Sequence, residues 1–328
     1  MSKSEADQVS ITILMDNTTD LLLTNSRHAV RPPLVRNERI ALPAPVAEHG
    51  FSALVSIAKH EQNIDCSYLF DTGVSENGVI HNADVFRIDF GNIDGIILSH
   101  GHFDHFTGLV NILKRISSSR RTTRNIDVFI HPDAFQKRWA IFPDGKRARF
   151  PILYEQQLQQ LGATIHKNIG VCNLPITEVP LLTITGEIPR EIDFEKGFPY
   201  QYTEDPNNER NLIPDPLVRD DQAIVINLSG KGLVVLTGCG HAGVINTINY
   251  AKKITGVNKI HAIMGGFHLP SDGGIYEAAI EPTLREIQKT QPDYLVPCHC
   301  TGWKATSRII ETMPEKFMQS GVGTTFKF

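Results

Sequence analysis

No run of apolar residues in this chain is long enough to cross a membrane, and the start, Met1-Ser2-Lys3-Ser4-Glu5-Ala6-Asp7-Gln8, is polar, with no secretory apolar region. A cytoplasmic address without a membrane partner is the default expectation. Cysteine is scarce and odd in number. Cys66, Cys172, Cys239, Cys298 and Cys300 are five thiols in 328 residues, which excludes a disulfide-stapled scaffold and points to reduced thiols. An excess of basic residues is missing too. With 32 Lys and Arg against 36 Asp and Glu, and a net charge of -4, the chain lacks the electrostatic footprint of a nucleic-acid binder, so a small molecule is the expected partner. Aromatic residues are only 8% and no internal repeat is visible, yet 41% hydrophobic content is enough to build a large core, as one domain or two fused halves.

Histidine is not scarce where it counts. The run His100-Gly101-His102-Phe103-Asp104-His105 packs four metal-ligand side chains into six residues. Residues two apart in an extended segment point the same way, so His100 and His102 can present imidazoles to one cation while Asp104 and His105, slightly further on, face a second. Imidazole with carboxylate suits zinc, and also iron or manganese; a coordination position left to water makes such a site catalytic rather than structural. A solvated histidine-rich loop is the bland alternative, and the flanks argue against it. The apolar Gly95-Ile96-Ile97-Leu98-Ser99 leads in as a strand, and Leu109, Ile112, Leu113 and Ile116 follow at helical spacing.

Elsewhere, β-rich runs are expected at Val9 to Met15, Phe51 to Ile57, Cys66 to Phe70 and Asp127 to Ile130. Others follow at Ala223 to Leu228, Gly232 to Thr237, Lys259 to Met264 and Tyr294 to Pro297. Helical patterns lie at about Val244 to Lys253, Ile275 to Lys289 and Lys304 to Thr312. Strands mixed with helices in two halves predict a layered α/β fold in a single domain over 1–328. Two stretches read as lid-like insertions, 133–151 and 197–221. The first mixes Phe135, Trp139 and Phe142 with Lys137, Arg138, Lys146, Arg147 and Arg149, a face suited to an anionic or aromatic substrate, or equally a solvated excursion.

The H-x-H-x-D-H run at a strand-to-helix junction resembles the signature of the metallo-β-lactamase superfamily. That resemblance implies a four-layer αββα sandwich, two mixed β-sheets flanked by helices, with a one- or two-metal site between the sheet edges. It implies further ligands at later strand ends. His299, in Pro297-Cys298-His299, matches the superfamily's last Pro-x-His motif. Thr237-Gly238-Cys239 stands where most members have Thr-Gly-Asp, so Cys239 replaces the usual bridging aspartate. Either the thiolate substitutes, or His241 supplies the bond while Cys239 packs nearby; we favour His241 as ligand, with Cys239 beside it. Asp71, in Leu69-Phe70-Asp71-Thr72-Gly73, matches the aspartate that orients the histidine loop. Cys298 and Cys300 read as small buried side chains on the opposite pleat.

The runs Thr185 to Arg190, Asp220-Asp221-Gln222-Ala223 and Gly265-Gly266-Phe267-His268-Leu269 resemble a branch containing archaeal enzymes that condense a dihydropterin with a ribofuranosylaminobenzene phosphate, and related hydrolases; Asp16-Asn17 and Glu48-His49 fit it too. Glu187, Arg190 and His268 are candidate substrate contacts, with His49 a weaker one. The predicted centre is therefore two divalent ions, zinc foremost, on His100, His102, Asp104, His105, His241 and His299. Asp104 and His268 are the catalytic candidates. The expected activity is a dinuclear hydrolase in which a metal-bound hydroxide attacks an ester, lactone, phosphoester or activated ring carbon. The alternative is a pterin-condensing transferase that joins a dihydropterin diphosphate to ribofuranosylaminobenzene phosphate. A non-catalytic sensor is disfavoured by the intact ligand set.

Overall fold

A computed structural model describes residues 5–60, 64–120, 124–174, 180–270 and 274–328. Two large sheets carry the architecture. The first has eight strands in the order Ala163–Lys167, Ile126–Ile130, Gly95–Ile97, Ile64–Phe70, Ser52–Lys59, Gln8–Met15, Thr325–Lys327 and Ala29–Val30. The first four run parallel to one another and the rest pair antiparallel. The second has six, Cys172–Leu174, Leu182–Ile184, Ile224–Leu228, Gly232–Leu236, Ile260–Gly265 and Tyr294–Pro297, and its last three are parallel. The apolar runs expected as strands all lie in these sheets.

Three large cores hold the layers together, beside a small fourth cluster of Ile188, Ala223 and Ala242. Between the sheets, Val9, Ile11, Phe70 and Ile97 of one face Ile224, Val234, Met264 and Val296 of the other. The outer face of the first sheet packs Leu69, Ile96 and Val128 against the helices Gly78–Phe86 and Leu109–Ser119. Leu233, Val235, Ile263 and Leu295 of the second pack against the helices Val244–Thr255, Gly274–Thr290 and Trp303–Thr312. Strands buried on both faces read as near-continuous apolar runs rather than alternations, which is why Gly232–Leu236 is apolar throughout and only His261 interrupts Ile260–Gly265. The result is the αββα sandwich, with mixed sheets.

The two stretches read as loop-like insertions contain strands, and they pair with each other. Arg147–Arg149, Arg138–Ile141, Gln201–Asp205 and Asn208–Pro214 form one antiparallel sheet of four strands, with Trp139 opposite Tyr202. Each insertion folds as a hairpin of its own, and the ladder that joins the two links residues some sixty positions apart. No helix among the described residues is long and apolar enough to cross a membrane.

Candidate metal centre

The donors leave the C-terminal ends of parallel strands, the edge at which open α/β sheets bind ligands. Asp71 follows Ile64–Phe70, the histidine run follows Gly95–Ile97, and Cys239 with His241 follows Gly232–Leu236. His268 and His299 follow Ile260–Gly265 and Tyr294–Pro297. Asp71, His268 and His299 have φ of 59°, 45° and 53°, a left-handed backbone that costs a residue with a side chain on the order of 1 kcal/mol. Such strain persists only where surrounding bonds fix it. At His299 they are visible: Asp16 Oδ1 accepts from its N–H at 3.0 Å, and Asn17 Nδ2 donates to its carbonyl at 2.8 Å.

Side chains fix the first wall, residues 99–105. Asp71 Oδ1 accepts from the Ser99 N–H at 2.7 Å, and its Oδ2 stands 2.7 Å from both Ser99 Oγ and His105 Nδ1. Ser99 Oγ is also 2.8 Å from His100 Nδ1. With Nδ1 of both imidazoles engaged, their Nε2 atoms are left for the centre, an outer-shell arrangement that also selects the tautomer. His102 is turned the other way. Its Nε2 lies 2.5 Å from Gln201 Oε1, leaving Nδ1 3.1 Å from His241 Nε2. Gly101 is gripped through its N–H by Asp220 Oδ2 at 2.7 Å, and Arg138, buried, binds both oxygens of that carboxylate at 3.0 and 2.5 Å.

The second wall rests on close backbone approach. A Cβ on Gly238 would fall 2.2 Å from Ser99 Oγ, so the seam between the walls requires glycine there. Asp221 Oδ2 accepts from the Ala242 N–H at 2.6 Å, and Glu195 accepts from Ile245 and Asn246 at 2.7 and 2.9 Å, at the start of the helix Val244–Thr255.

Between the walls, donor atoms gather in groups whose members all lie within 4.8 Å of one another: Asp104, His105, Cys239 and His299; then His100, Cys239 and His241; then Cys239, His268 and Cys300. Cys239 is common to all three, its Sγ 3.2 Å from Nε2 of both His105 and His299. His299 Nε2 and His105 Nε2 lie 3.3 and 3.5 Å from Asp104 Oδ2. Burial first, and the neighbouring imidazoles next, hold His100 and His241 neutral well below the ordinary histidine range. Burial and Arg138 lower His102 to about 4. Burial would also lower His105, but Asp104 and Asp71 outweigh it and raise it to about 9. Asp104 stays ionised below the usual carboxylate range because His105 and His299 outweigh its burial. His100 Nε2 and His241 Nδ1 are buried without a hydrogen-bond partner. Neutral imidazoles with free lone pairs, an ionised carboxylate and a central thiol are the donor chemistry of divalent transition cations.

The structure thus brings five of the six expected ligands, His100, Asp104, His105, His241 and His299, into these groups, and sets His102 against His241. Asp71 stands behind His105. Cys239, expected beside the ligands, lies at their centre. His268 joins it, its ring centroid 4.0 Å from that of His241 and its Nε2 3.3 Å from the Tyr276 hydroxyl. Glu187 belongs to none of the groups. Arg190 donates to the carbonyls of Ile188, Leu217 and Val218, which makes it a clamp on the chain rather than an open cation. The basic residues of the first insertion are similarly engaged: Arg149 pairs with Glu204 at 3.1 Å, and Arg147 and Arg149 lie over Trp139 at 5.5 and 5.7 Å. Phe150 and Phe198, from the two insertions, pack their rings 5.3 and 6.0 Å from that of His102. Sequence reasoning missed both, along with Gln201, and put Arg138 on a substrate-suited face where it instead binds Asp220; an aromatic residue at each insertion's boundary was the available signal.

The family model described as the Metallo-beta-lactamase superfamily matches residues 61–252. Among curated proteins the chain is similar to the 7,8-dihydropterin-6-methyl-4-(beta-D-ribofuranosyl)-aminobenzene-5'-phosphate synthase of Methanocaldococcus jannaschii, at 30% identity over 285 residues covering 86% of this chain and 90% of that one. An uncharacterised protein of the same organism is 29% identical over 268 residues, 80% of this chain and 88% of its own. A solved metal-dependent hydrolase of the beta-lactamase superfamily superimposes with a TM-score of 0.69 at 21% identity over 98% of both chains. A metallo-beta-lactamase fold protein of Bacillus subtilis does so at 0.53 and 12%, over 98% of this chain and 100% of its own. These two likenesses establish the fold.

Proposed function

The chain belongs to the metallo-beta-lactamase superfamily, a superfamily of enzymes, and from that premise we propose that it is a hydrolase working with two divalent cations, most favourably zinc. One observation carries the reading: two donor groups, one on His100 and His241 and one on Asp104, His105 and His299, meet at Cys239. The first group with His102 would hold one cation and the second the other, with the Cys239 thiol within reach of both. Bound there, such ions polarise a carbonyl or phosphoryl oxygen and bring the pKa of water towards neutrality.

The chain's own residues do the rest. Asp71 and Ser99 keep His105 and His100 in the tautomer that offers Nε2. Asp104 is placed to receive a proton, and His49, whose side chain is 64% exposed and whose Nε2 stands 3.6 Å from Asp104 Oδ2, can pass it to solvent. Phe150 and Phe198 exclude water over His102 and suit a substrate with an apolar or ring-bearing part, the two insertions acting together as a lid on one catalytic domain. His268, set against His241 and steadied by Tyr276, orients the substrate from the other side. Five free thiols suit a reducing, cytoplasmic compartment. A second reading is favoured by the 30% identity to the synthase over most of both chains: the same cations would hold the diphosphate of a dihydropterin while an arylamine phosphate displaces it.

Elemental analysis of the purified full chain is expected to give close to two equivalents of transition metal, and chelation to abolish turnover of p-nitrophenyl esters or phosphoesters. His102→Ala should lose metal and activity together. Folded protein that takes up no metal overturns the proposal. If product appears only when an arylamine phosphate accompanies a dihydropterin diphosphate, and no ester is hydrolysed, the second reading replaces the first.

A further inference from the structure

Cys300 has no part in the two-cation reading, yet it does not pack away as Cys298 does. Cys298 is buried in the core between the sheets. Two positions on, the Cys300 thiol turns the other way and donates to the Cys239 carbonyl at 3.1 Å. Its Sγ, the Cys239 Sγ and a ring nitrogen of His268 all lie within 4.8 Å of one another. Two donors on one zinc stand at most about 4.6 Å apart, given bonds of about 2.3 Å to sulfur and about 2.0 Å to nitrogen. Three donors around one ion stand about 3.5–4 Å apart on such bonds, so the triangle closes on an ion by a movement of less than about 1 Å per donor.

Three neighbouring parallel strands deliver these donors: Gly232–Leu236 leads to Cys239, Ile260–Gly265 to His268 and Tyr294–Pro297 to Cys300. Their proximity depends on Gly266, where a Cβ would come 2.6 Å from Cys300 Sγ and 3.0 Å from Cys239 Cα. His268 Nδ1 is a buried atom without a hydrogen-bond partner, although its Nε2 faces Tyr276. Cys300 and His268 are half-buried, whereas Cys239 and the other donors are buried. Two sulfurs and an imidazole, with no carboxylate, are a soft donor set.

We propose that Cys239, His268 and Cys300 form a site for a thiophilic cation, of the class of Cd2+ or Cu+, distinct from the His and Asp donors of the hydrolytic centre. It shares Cys239 with that centre. A soft ion seated there draws the thiolate away from the cation pair and ties down His268, so the protein gains a built-in sensitivity to soft metals. Zinc itself prefers the imidazole and carboxylate groups, where more donors converge.

The test uses metal-free, fully reduced, full-length protein titrated with Cd2+, read by the ultraviolet thiolate-to-cadmium charge-transfer band and by elemental analysis. Zinc loading is measured in parallel. Cys300→Ala is expected to lower the band to about half, one thiolate in place of two, and to weaken cadmium binding about tenfold or more while zinc loading stays at the wild-type ratio. His268→Gln should weaken cadmium binding without reducing the band. Should Cys300→Ala misfold, Cys300→Ser keeps the volume and removes the soft donor, with the same expected band. A band and affinity unchanged in both Cys300 variants overturn the site. So does zinc lost in step with cadmium, which would make Cys300 part of the hydrolytic centre. Wild-type protein that binds no zinc but shows a Cys300-dependent cadmium band would sink the two-cation reading and leave this site standing.

Discussion

Both walls of the centre are gripped by buried carboxylates that accept backbone N–H groups, but they differ in what balances the charge. On the first wall Asp220 takes the Gly101 N–H and is also bound through both oxygens by Arg138. Burial alone would raise that carboxyl, and the guanidinium outweighs it, so Asp220 lies below its ordinary 3.8. On the second wall Asp221 and Glu195 take N–H groups of residues 242, 245 and 246, and among the described residues neither touches a Lys or Arg; Asp221 has only the neutral His100 ring 3.9 Å away. Burial pushes both up to about 7, the N–H groups and a more distant Arg190 offsetting only part of it. Here the one or two backbone donors on Asp221 and Glu195 do not compensate the desolvation of the carboxylate, whereas the guanidinium on Asp220 does. The walls should therefore respond to pH in opposite directions.

The largest effect is expected where the pair is broken. Asp220→Ala leaves buried Arg138 with only Asp215, 3.8 Å away, and the Asp133 carbonyl, and removing one half of a buried ion pair costs about 3–5 kcal/mol, here towards the lower end. Denaturant unfolding of this variant should show that loss, together with weakened metal binding as the Gly101 turn is released. Replacing both partners, as in Arg138→Met with Asp220→Leu, should recover much of the stability but not the metal affinity, because the apolar pair cannot hold Gly101. A loss below about 1 kcal/mol in Asp220→Ala would mean that solvent reaches Arg138 and that the contrast between the walls is false.

Next in size is the pH response of the second wall. The folded-state pKa of Glu195 is raised from 4.5 to about 7, so the native chain holds this proton where the unfolded chain has released it. Its contribution is complete below about 4.5 and is lost as pH rises through about 7, on the order of 3–4 kcal/mol at roughly 1.4 kcal/mol per pKa unit. Glu195→Gln has no such proton. The stability of wild type minus that of the variant should fall steadily across this window, and a flat difference would refute the raised value. Asp220, depressed, acts in the opposite sense: its contribution is present above 3.8 and is lost as pH falls through its lower folded value.

The two walls also differ in how far the sequence exposes them. Six consecutive residues carry the first wall's donors, so spacing alone announces them, whereas those of the second lie at three strand ends and emerged only through resemblance. The strands themselves were legible because both sheets bury one or both faces in continuous apolar runs. What could not be read is pairing at long range. Gln201 and Arg138 reach the site because two insertions join across some sixty residues, a register that no local pattern encodes. Asp220-Asp221-Gln222 makes the same point within three residues. Asp220 binds Gly101 and Gln222 binds the Leu98 carbonyl, both on the first wall, while Asp221 between them binds Ala242 on the second. Alternation in extended chain sends neighbours to opposite sides, and only the fold says which side is which. Cys298 and Cys300, both read as packing residues, would share a side in extended chain; they part because the strand ends at Pro297 and His299 between them is left-handed.

The smallest expected effect isolates geometry from charge. Gln201 is a neutral clamp on the first wall: its Oε1 lies 2.5 Å from His102 Nε2, and its amide donates to Asp215 Oδ2 at 2.8 Å. Gln201→Ala removes the acceptor facing His102 and one donor to the half-buried Asp215 carboxylate, so about 1–2 kcal/mol of stability should be lost. His102 is then free to rotate or change tautomer. Because such outer partners fix the ring that offers its lone pair, zinc affinity should fall about tenfold or more, out of proportion to the change in stability. Competition with a chromophoric chelator measures this directly. If Gln201→Ala binds zinc as tightly as wild type, the His102 orientation is set by Phe150 and Phe198 alone, and the paired insertions act on the centre by covering it rather than by aiming its ligands.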